Sequence, residues 1–209
     1  MTVTKIEEMD KKRVRLYIDE QFSFVLYKGE LRLYHLQEEK EISQETYDEI
    51  MQQLLPKRAK LRCMNLLKTK SYTEKQLRDK LKQGEYQEEL IDAAIDYVKS
   101  YGYVDDRKYA QEFIEYNMTG KSRMRMEQDL MKKGIDRKII RAVFDEMKEE
   151  GNVQDEMAMV LELLHRKNYH KDTASIKEKQ KLSSWLYGKG FGADTIRNAL
   201  LLDITPNSV

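Results

Sequence analysis

Three copies of one leucine–isoleucine interval limit what this chain can fold into. In each copy the isoleucine follows the leucine by ten residues, and a glycine stands between them. Successive leucines lie 49 and then 56 residues apart. A unit of about 50 residues that recurs three times predicts a repeat architecture, in which neighbouring units bury faces that one unit alone leaves exposed. The three pairs are Leu81 with Ile91, Leu130 with Ile140, and Leu186 with Ile196.

Within the copies, the spacing of apolar residues is helical. Ala59, Cys63 and Leu67 recur at four-residue intervals and form one apolar stripe. Charged residues make up 36% of the chain, with only 9 glycines and 2 prolines among 209 residues. This composition favours solvated helices over a compact all-β fold, which needs more turn residues. We therefore predict a mainly α-helical chain with three tandem three-helix repeats.

The predicted helices have recognisable first and last residues. A Ser, Thr or Asp side chain at the N-cap accepts a hydrogen bond from a free backbone N–H of the first turn. A glycine after the last turn adopts the left-handed conformation that ends a helix. The predicted N-caps are Ser43, Thr73, Asp105 or Asp106, Ser122, Asp136 and Asp155. The predicted terminating glycines are Gly84, Gly102, Gly134, Gly151 and Gly190. The third copy has extra residues, which we place in the polar stretch 168–179.

The N-terminal residues have a different pattern. Apolar residues alternate with polar ones over 14–18 and again over 22–26, and Leu31 and Leu33 extend the alternation weakly. This period of two predicts a small β-hairpin or meander. A helix should follow from Ser43 to about Leu55, and we place a boundary at Pro56 because proline is excluded from helix interiors. The predicted modules are a strand module with a helix over 1–55 and three-helix repeats over 56–104, 105–152 and 153–209.

Positive charge is concentrated in two segments, although the net charge of the chain is only +1. Residues 57–82 carry ten Lys and Arg against two acids, and residues 117–141 carry eight against three, so the segments are +8 and +5. Segregated charge repels itself and favours a polyanionic partner or a patterned protein surface. Ordinary solvated helix faces are the alternative explanation. The candidate DNA- or filament-binding residues are Arg58, Arg62, Lys68, Lys70, Lys75, Arg78, Lys121, Arg123, Arg125, Lys132 and Lys133.

No group of residues in the sequence indicates catalysis. The single cysteine, Cys63, excludes an intrachain disulfide or a cysteine-based zinc site. His165 and His170 are five residues apart and do not share a helical face. We therefore expect no catalytic residue, no metal and no cofactor. No apolar run approaches the roughly 20 residues that span a bilayer, and no signal peptide is evident. The sequence predicts a cytoplasmic monomer without a membrane segment.

One segment resembles a known family. The second repeat opens with Gly102-Tyr103-Val104-Asp105-Asp106, and Tyr109-Ala110 follows. The same pattern includes Ala59, Leu66-Leu67, Ser71, Leu77, Leu81, Gly84, Ile91, Gly120, Leu130 and Gly134-Ile135. Together these residues resemble the RecX regulators of the RecA recombinase. The resemblance covers about 150 residues from Pro56 onward and is closest over the first two repeats.

The resemblance implies both a shape and a role. It implies tandem three-helix repeats in an elongated, curved molecule that binds the RecA–DNA filament. It also implies a restraint on filament extension, RecA ATP hydrolysis and strand exchange, and direct DNA binding by some members. The basic segments predict that binding to single- or double-stranded DNA is weak and salt-dependent. The resemblance supplies no catalytic residues.

Two other functions stay open at the level of sequence. A helix-turn-helix DNA-binding regulator would place one recognition helix in the major groove, whereas the cations here are spread over the repeats and favour backbone contact. A helical adaptor that contacts only proteins would have no affinity for nucleic acid at any salt concentration.

Overall fold

The computed structural model describes residues 1–201 and divides into two compact units. Unit 1 is Met1–Asp105, and unit 2 begins at Asp106. Unit 1 contains β1 (Val3–Glu8), β2 (Arg13–Ile18), β3 (Gln21–Tyr27), α1 (Lys28–Leu33), α2 (Gln44–Glu49), α3 (Leu55–Leu67), α4 (Glu74–Lys82) and α5 (Glu88–Ser100). Unit 2 contains α6 (Asp106–Asn117), α7 (Arg123–Lys132), α8 (Arg137–Glu149), α9 (Glu156–His165), α10 (Ile176–Gly188) and α11 (Ala193–Leu201). The mainly helical fold class is confirmed. The bounds of the four predicted modules stay a prediction.

The N-terminal strands form an antiparallel sheet in the order β1-β2-β3. Asp19 and Glu20 connect β2 to β3 with φ angles of 48° and 68°. Two central residues with positive φ suit the right-handed twist of a two-residue hairpin, even without glycine. Alternate residues of β2, namely Val14, Leu16 and Ile18, are buried, as the period of two predicts. The predicted hairpin is confirmed, and β1 is an additional strand that the sequence pattern did not indicate.

The weak extension of the strand pattern through Leu31 and Leu33 is wrong, because residues 28–33 form helix α1. The Glu30 side chain accepts a hydrogen bond from the Tyr27 backbone N–H at 2.7 Å and so caps the first turn. Leu33 is exposed, so its apolar character does not reflect a buried strand face. The capping contact of Glu30 therefore favours a helix here, although the weak alternation of apolar residues suggested a strand.

The chain stays helical through Pro56, where the sequence predicts a break. A π-helical turn, Ile50–Leu54, joins α2 to α3, and the Leu55 N–H donates to the Ile50 carbonyl five residues back. Pro56 stands in the first turn of α3. A proline ring clashes with the carbonyl four residues earlier in a regular α-helix. A wider turn directly before the proline relieves that constraint without ending the helix.

Most predicted caps are present. The side chains of Ser43, Thr73, Ser122, Asp136 and Asp155 accept backbone N–H bonds at the starts of α2, α4, α7, α8 and α9. The φ angles of Gly102, Gly134, Gly151 and Gly190 are positive, as predicted for helix ends. For Gly84 the prediction is wrong, because Glu85 takes the left-handed conformation with φ of 56°. Gly84 instead allows close packing, since a Cβ there would lie 2.9 Å from Tyr86 Cε2.

Each three-helix group encloses its own apolar core. Cores form within α3–α5, within α6–α8 and within α9–α11, and a further core joins the sheet to α3 and α5. The leucine and isoleucine of each of the three repeated pairs are buried. The extra residues of the third copy include Tyr169, which is buried and donates a 2.7 Å hydrogen bond to the Leu200 carbonyl. Tyr169 of the insertion therefore forms part of the third core.

Candidate nucleic-acid interface

Helix α3 separates its apolar and basic residues by spacing alone. Leu55, Ala59 and Cys63 recur every four residues and are buried. Burial also raises the pKa of the Cys63 thiol to about 11, which suits a packing residue rather than a nucleophile. Arg62 falls between these positions and is exposed. Among residues 1–201, Arg62 has no ion pair, so its charge is available to an external anion.

Two more exposed cations, Lys68 and Lys70, directly follow α3. Lys68 is the C-cap of the helix, where a positive charge also interacts favourably with the helix dipole. The Lys70 ammonium lies 4.8 Å from the centroid of the Tyr72 ring. Within the described part of the chain, neither lysine has an ion pair. These two lysines therefore add to the unpaired charge of Arg62.

Arg58 is used differently from its neighbours. Its side chain is 15% exposed, and its Nη1 donates to Glu30 Oε2 at 2.7 Å. Its Nη2 donates to the Val25 carbonyl, and its guanidinium lies 5.2 Å and 5.7 Å from the ring centroids of Tyr27 and Tyr86. Arg58 thus ties α3 to the end of β3 and to α1. That Arg58 binds DNA or the filament stays a prediction. The contacts of its side chain in the structure are all within the chain.

The two candidates on α4 are paired with carboxylates. Lys75 Nζ lies 2.7 Å from Asp79 Oδ2, one helical turn away. Arg78 contacts Asp92 at 2.6 Å, Glu74 at 2.9 Å and Glu88 at 3.5 Å. The hydrogen bond to Asp92 and the one to Glu74 raise the pKa of Arg78. Because three carboxylates surround it, Arg78 presents less net charge than the sequence count suggests.

In unit 2, most candidates on or beside α7 are also paired. Lys121 Nζ and Arg125 Nε lie 2.8 Å and 3.5 Å from the carboxylate oxygens of Asp129. The hydrogen bond from Lys121 lowers the pKa of Asp129. Arg123 pairs with Glu127 at 3.0 Å, and its guanidinium lies 4.5 Å from the Phe144 ring centroid.

The end of α7 differs from its beginning. Lys132 is exposed and unpaired within residues 1–201. Lys133 lies 5.6 Å and 5.8 Å from the ring centroids of Tyr109 and Phe113. Three exposed cations on α8 lie outside the predicted site set although they belong to the basic segment: Arg137, Lys138 and Arg141.

A recess in unit 1 gathers four cations from distant parts of the sequence. Its volume is about 360 Å³, and Arg13 of β2 lines it together with Arg58, Arg62 and Lys80. Sequence reasoning missed Arg13, because it lies 45 residues before Arg58 and only the fold brings both to one recess. Tyr27 and Tyr86 form part of the wall.

A larger recess of about 650 Å³ in unit 2 is mainly apolar. Met124, Met126, Met147 and Phe144 line it, and Arg123 stands at its wall. Arg123 therefore borders an apolar surface. The recess of unit 1, in contrast, is lined by several cations.

Residues 1–201 contain no cluster of three or more His, Cys, Asp or Glu side chains arranged to hold a metal ion. Over the same residues, no helix has the length and apolar character needed to cross a membrane.

Family models match the three-helix groups in succession. The first three-helix domain of RecX matches residues 59–97, the second matches 105–143 and the third matches 154–200. The chain belongs to the RecX family. The family ranges contain ten of the eleven candidate cations, all in the first and second domains, whereas Arg58 and the sheet lie outside them.

Relatives extend the family assignment over nearly the whole chain. Regulatory protein RecX of Caldanaerobacter subterraneus subsp. tengcongensis is 33% identical over 204 residues, covering 97% of this chain and all of that protein. Regulatory protein RecX of Clostridioides difficile is 31% identical and covers 95% of this chain and 93% of its own. With 95–97% of this chain covered, the similarity also takes in most of the N-terminal residues that precede the three matched domains.

Solved RecX structures share the fold. A crystal structure of regulatory protein RecX superposes with a TM-score of 0.60 at 21% identity, covering 94% of this chain and 97% of that one. RecX from Lactobacillus salivarius gives a TM-score of 0.58 at 21% identity, over 70% of this chain and 95% of its own.

Proposed function

We propose that this RecX-family chain regulates homologous recombination by binding the RecA–DNA filament. It restrains RecA ATP hydrolysis, filament extension and strand exchange. The observation that carries the proposal is the succession of all three RecX three-helix domains along one chain. The relatives are named regulatory proteins, and the resemblance of the repeats to RecX supplies RecA as the partner.

The basic residues supply the electrostatic part of this proposal. A cation without an internal carboxylate can neutralise a phosphate, and the counterion release makes the binding salt-dependent. We expect the largest contributions from Arg62, Lys68, Lys70 and Lys132, which are unpaired in the described residues. The paired candidates would contribute less, because an internal carboxylate already offsets their charge.

The proposed action needs no chemistry by the chain itself. We propose a cytoplasmic monomer that acts by occupying filament surface, with weak binding to DNA and no catalytic step or cofactor of its own. Electrostatic attraction would raise the rate of capture, and apolar contacts would lengthen the lifetime of the complex.

The test is RecA ATP hydrolysis on single-stranded DNA with and without this protein. We expect the wild-type protein to lower the hydrolysis rate. A Lys68→Gln, Lys70→Gln, Lys132→Gln variant should need a roughly tenfold higher concentration for the same effect, because three phosphate contacts are lost. The control replaces Lys11, Lys40 and Lys177 by Gln, which removes the same charge at exposed positions outside the basic segments.

Other outcomes favour other functions. An unchanged hydrolysis rate with saturating wild-type protein contradicts RecA modulation. Strong preference for one duplex sequence at physiological salt would indicate a helix-turn-helix regulator. Inhibition of RecA without affinity for DNA at any salt concentration would indicate a protein-only adaptor.

A further inference from the structure

The basic recess of unit 1 lies where the N-terminal sheet meets the first three-helix domain. Arg13 and Tyr27 come from β2 and β3, whereas Arg62 and Lys80 come from α3 and α4. The volume of about 360 Å³ is within the range of small-ligand pockets. No carboxylate is among the residues that line it. The recess is therefore a cationic pocket that neither module could form alone.

Two of the four cations are held in place by carboxylates outside the lining. Arg13 forms a two-point contact with Asp10, with Nε at 2.8 Å and Nη2 at 2.7 Å from Oδ2. The hydrogen bond from the Lys12 backbone N–H and the one from the Arg13 side chain lower the pKa of Asp10 to about 2, so the carboxylate is charged at neutral pH. Arg58 is held by Glu30 through Nη1 and by the Val25 carbonyl through Nη2. Both guanidinium groups are thus oriented before a ligand arrives.

The other two cations are not compensated. Arg62 has no ion pair in residues 1–201, and Lys80 Nζ has only the Gln83 amide oxygen, at 3.3 Å. Arg13 and Arg58 are paired with carboxylates, whereas Arg62 and Lys80 are not. The recess therefore has an excess of positive charge. An anion in the recess would form ion pairs with Arg62 and Lys80.

Arg58 adds an observation that does not depend on charge. Its Nε–H is buried and has no acceptor among the described residues. A buried donor without an acceptor is unfavourable, and most such groups in folded proteins have a partner. An anionic oxygen bound beside Arg58 would supply the acceptor.

We propose that this recess binds a phosphate group of a single DNA strand, with Arg62, Lys80 and the Arg58 Nε–H as the direct contacts. Arg13 supplies further fixed charge in the same recess. A recessed site favours a flexible single strand, whose phosphate can project inward. The inference rests on the proposed function for the source of the phosphate, and it gives the N-terminal sheet a part in DNA binding.

The experiment measures binding of a fluorescently labelled oligothymidylate by anisotropy at several salt concentrations. Arg62→Gln with Lys80→Gln should weaken binding about tenfold and reduce the slope of log K against log salt by about 0.7, since the contact with one phosphate is lost. Lys11→Gln with Lys40→Gln removes the same charge from unit 1 outside the recess and should change neither quantity appreciably.

Two further ligands distinguish recognition of the phosphate charge from recognition of a DNA strand. A methylphosphonate oligonucleotide, which has a neutral backbone, should bind wild type and the recess variant equally weakly. Inorganic phosphate should shift the NMR signals of the arginine Nε–H groups of wild type but not those of Arg13 and Arg58 in the variant. Phosphate shifts without any loss of oligonucleotide affinity in the variant would indicate a site for free phosphate and overturn the assignment to a DNA strand.

The failure of this inference is distinguishable from that of the proposed function. If the recess variant binds oligothymidylate like wild type, the recess assignment is wrong, whether or not wild type restrains RecA ATP hydrolysis. If wild type does not change RecA hydrolysis but the recess variant loses oligonucleotide affinity, the recess stands and the proposed function does not.

Discussion

A single backbone position, Gly190, joins two three-helix groups of unit 2. Its φ is 89°, and a Cβ would lie 2.6 Å from Ser122 Oγ and 3.2 Å from the Arg125 nitrogen. Ser122 Oγ caps α7 and donates to the Lys189 carbonyl at 2.8 Å. Gly190→Ala should therefore lower the free energy of unfolding by about 2 kcal/mol, through backbone strain and the displaced cap. Urea denaturation followed by circular dichroism measures the change.

Gly188 provides a control two residues away. It is the last residue of α10, and no atom lies within 4 Å of the position of its Cβ. Gly188→Ala should leave the stability unchanged or raise it by up to about 1 kcal/mol, because alanine favours the helix. Equal destabilisation by both substitutions would contradict the contact with Ser122 as the cause.

At the scale of elements, Arg58 shows how one side chain connects α3 to the sheet and α1. Arg58→Met would leave Glu30, whose side chain is 17% exposed, without its cation. We expect a loss of about 2 kcal/mol, because an orphaned and largely buried carboxylate is more costly than the absence of the whole pair. Thermal and urea unfolding measure this loss.

The partner substitution tests that reason. Glu30→Gln removes the orphaned charge and keeps an oxygen that can accept the Tyr27 N–H. The double variant Glu30→Gln, Arg58→Met should therefore be more stable than Arg58→Met alone. Equal stability of the two variants would show that the lost packing on Tyr27 and Tyr86, rather than the orphaned carboxylate, dominates.

The elements that the sequence predicts well are those with local causes. Thr73 with Gln76 starts α4 through bonds between neighbours, and such signals are visible in a few adjacent residues. Strand β1 depends on its pairing with β2, for example Ile6 opposite Leu16, and has no clean alternation of its own. The π turn before Pro56 reflects how the chain accommodates a proline without ending the helix. Neither the pairing of distant strands nor the π turn before a proline can be predicted from a local sequence pattern.

The same distinction applies to the candidate site. The two basic segments are evident from composition, but pairing decides which cations remain available, and pairing depends on the fold. The charge of Arg78 is offset by Asp92, fourteen residues away, whereas Arg13 lines the recess from a strand. A count of +8 for residues 57–82 therefore overstates the positive surface they present.

At the scale of the whole molecule, local charge and net charge predict different behaviour. A net charge of +1 would give almost no electrostatic attraction to DNA. The unpaired Arg62, Lys68, Lys70 and Lys132 should instead neutralise about four phosphates. For a single strand this corresponds to a slope near −3 and a loss of affinity of about 50-fold between 50 and 200 mM salt.

Two variants with the same net charge separate these possibilities. Lys68→Gln with Lys70→Gln and Lys11→Gln with Lys40→Gln each change the net charge from +1 to −1. If local charge governs binding, only the first pair should reduce the slope, by about 1.4, because it alone removes phosphate contacts. A titration of single-stranded DNA at five salt concentrations measures both slopes. Equal reductions would mean that the overall field of the protein, rather than the end of α3, attracts the strand.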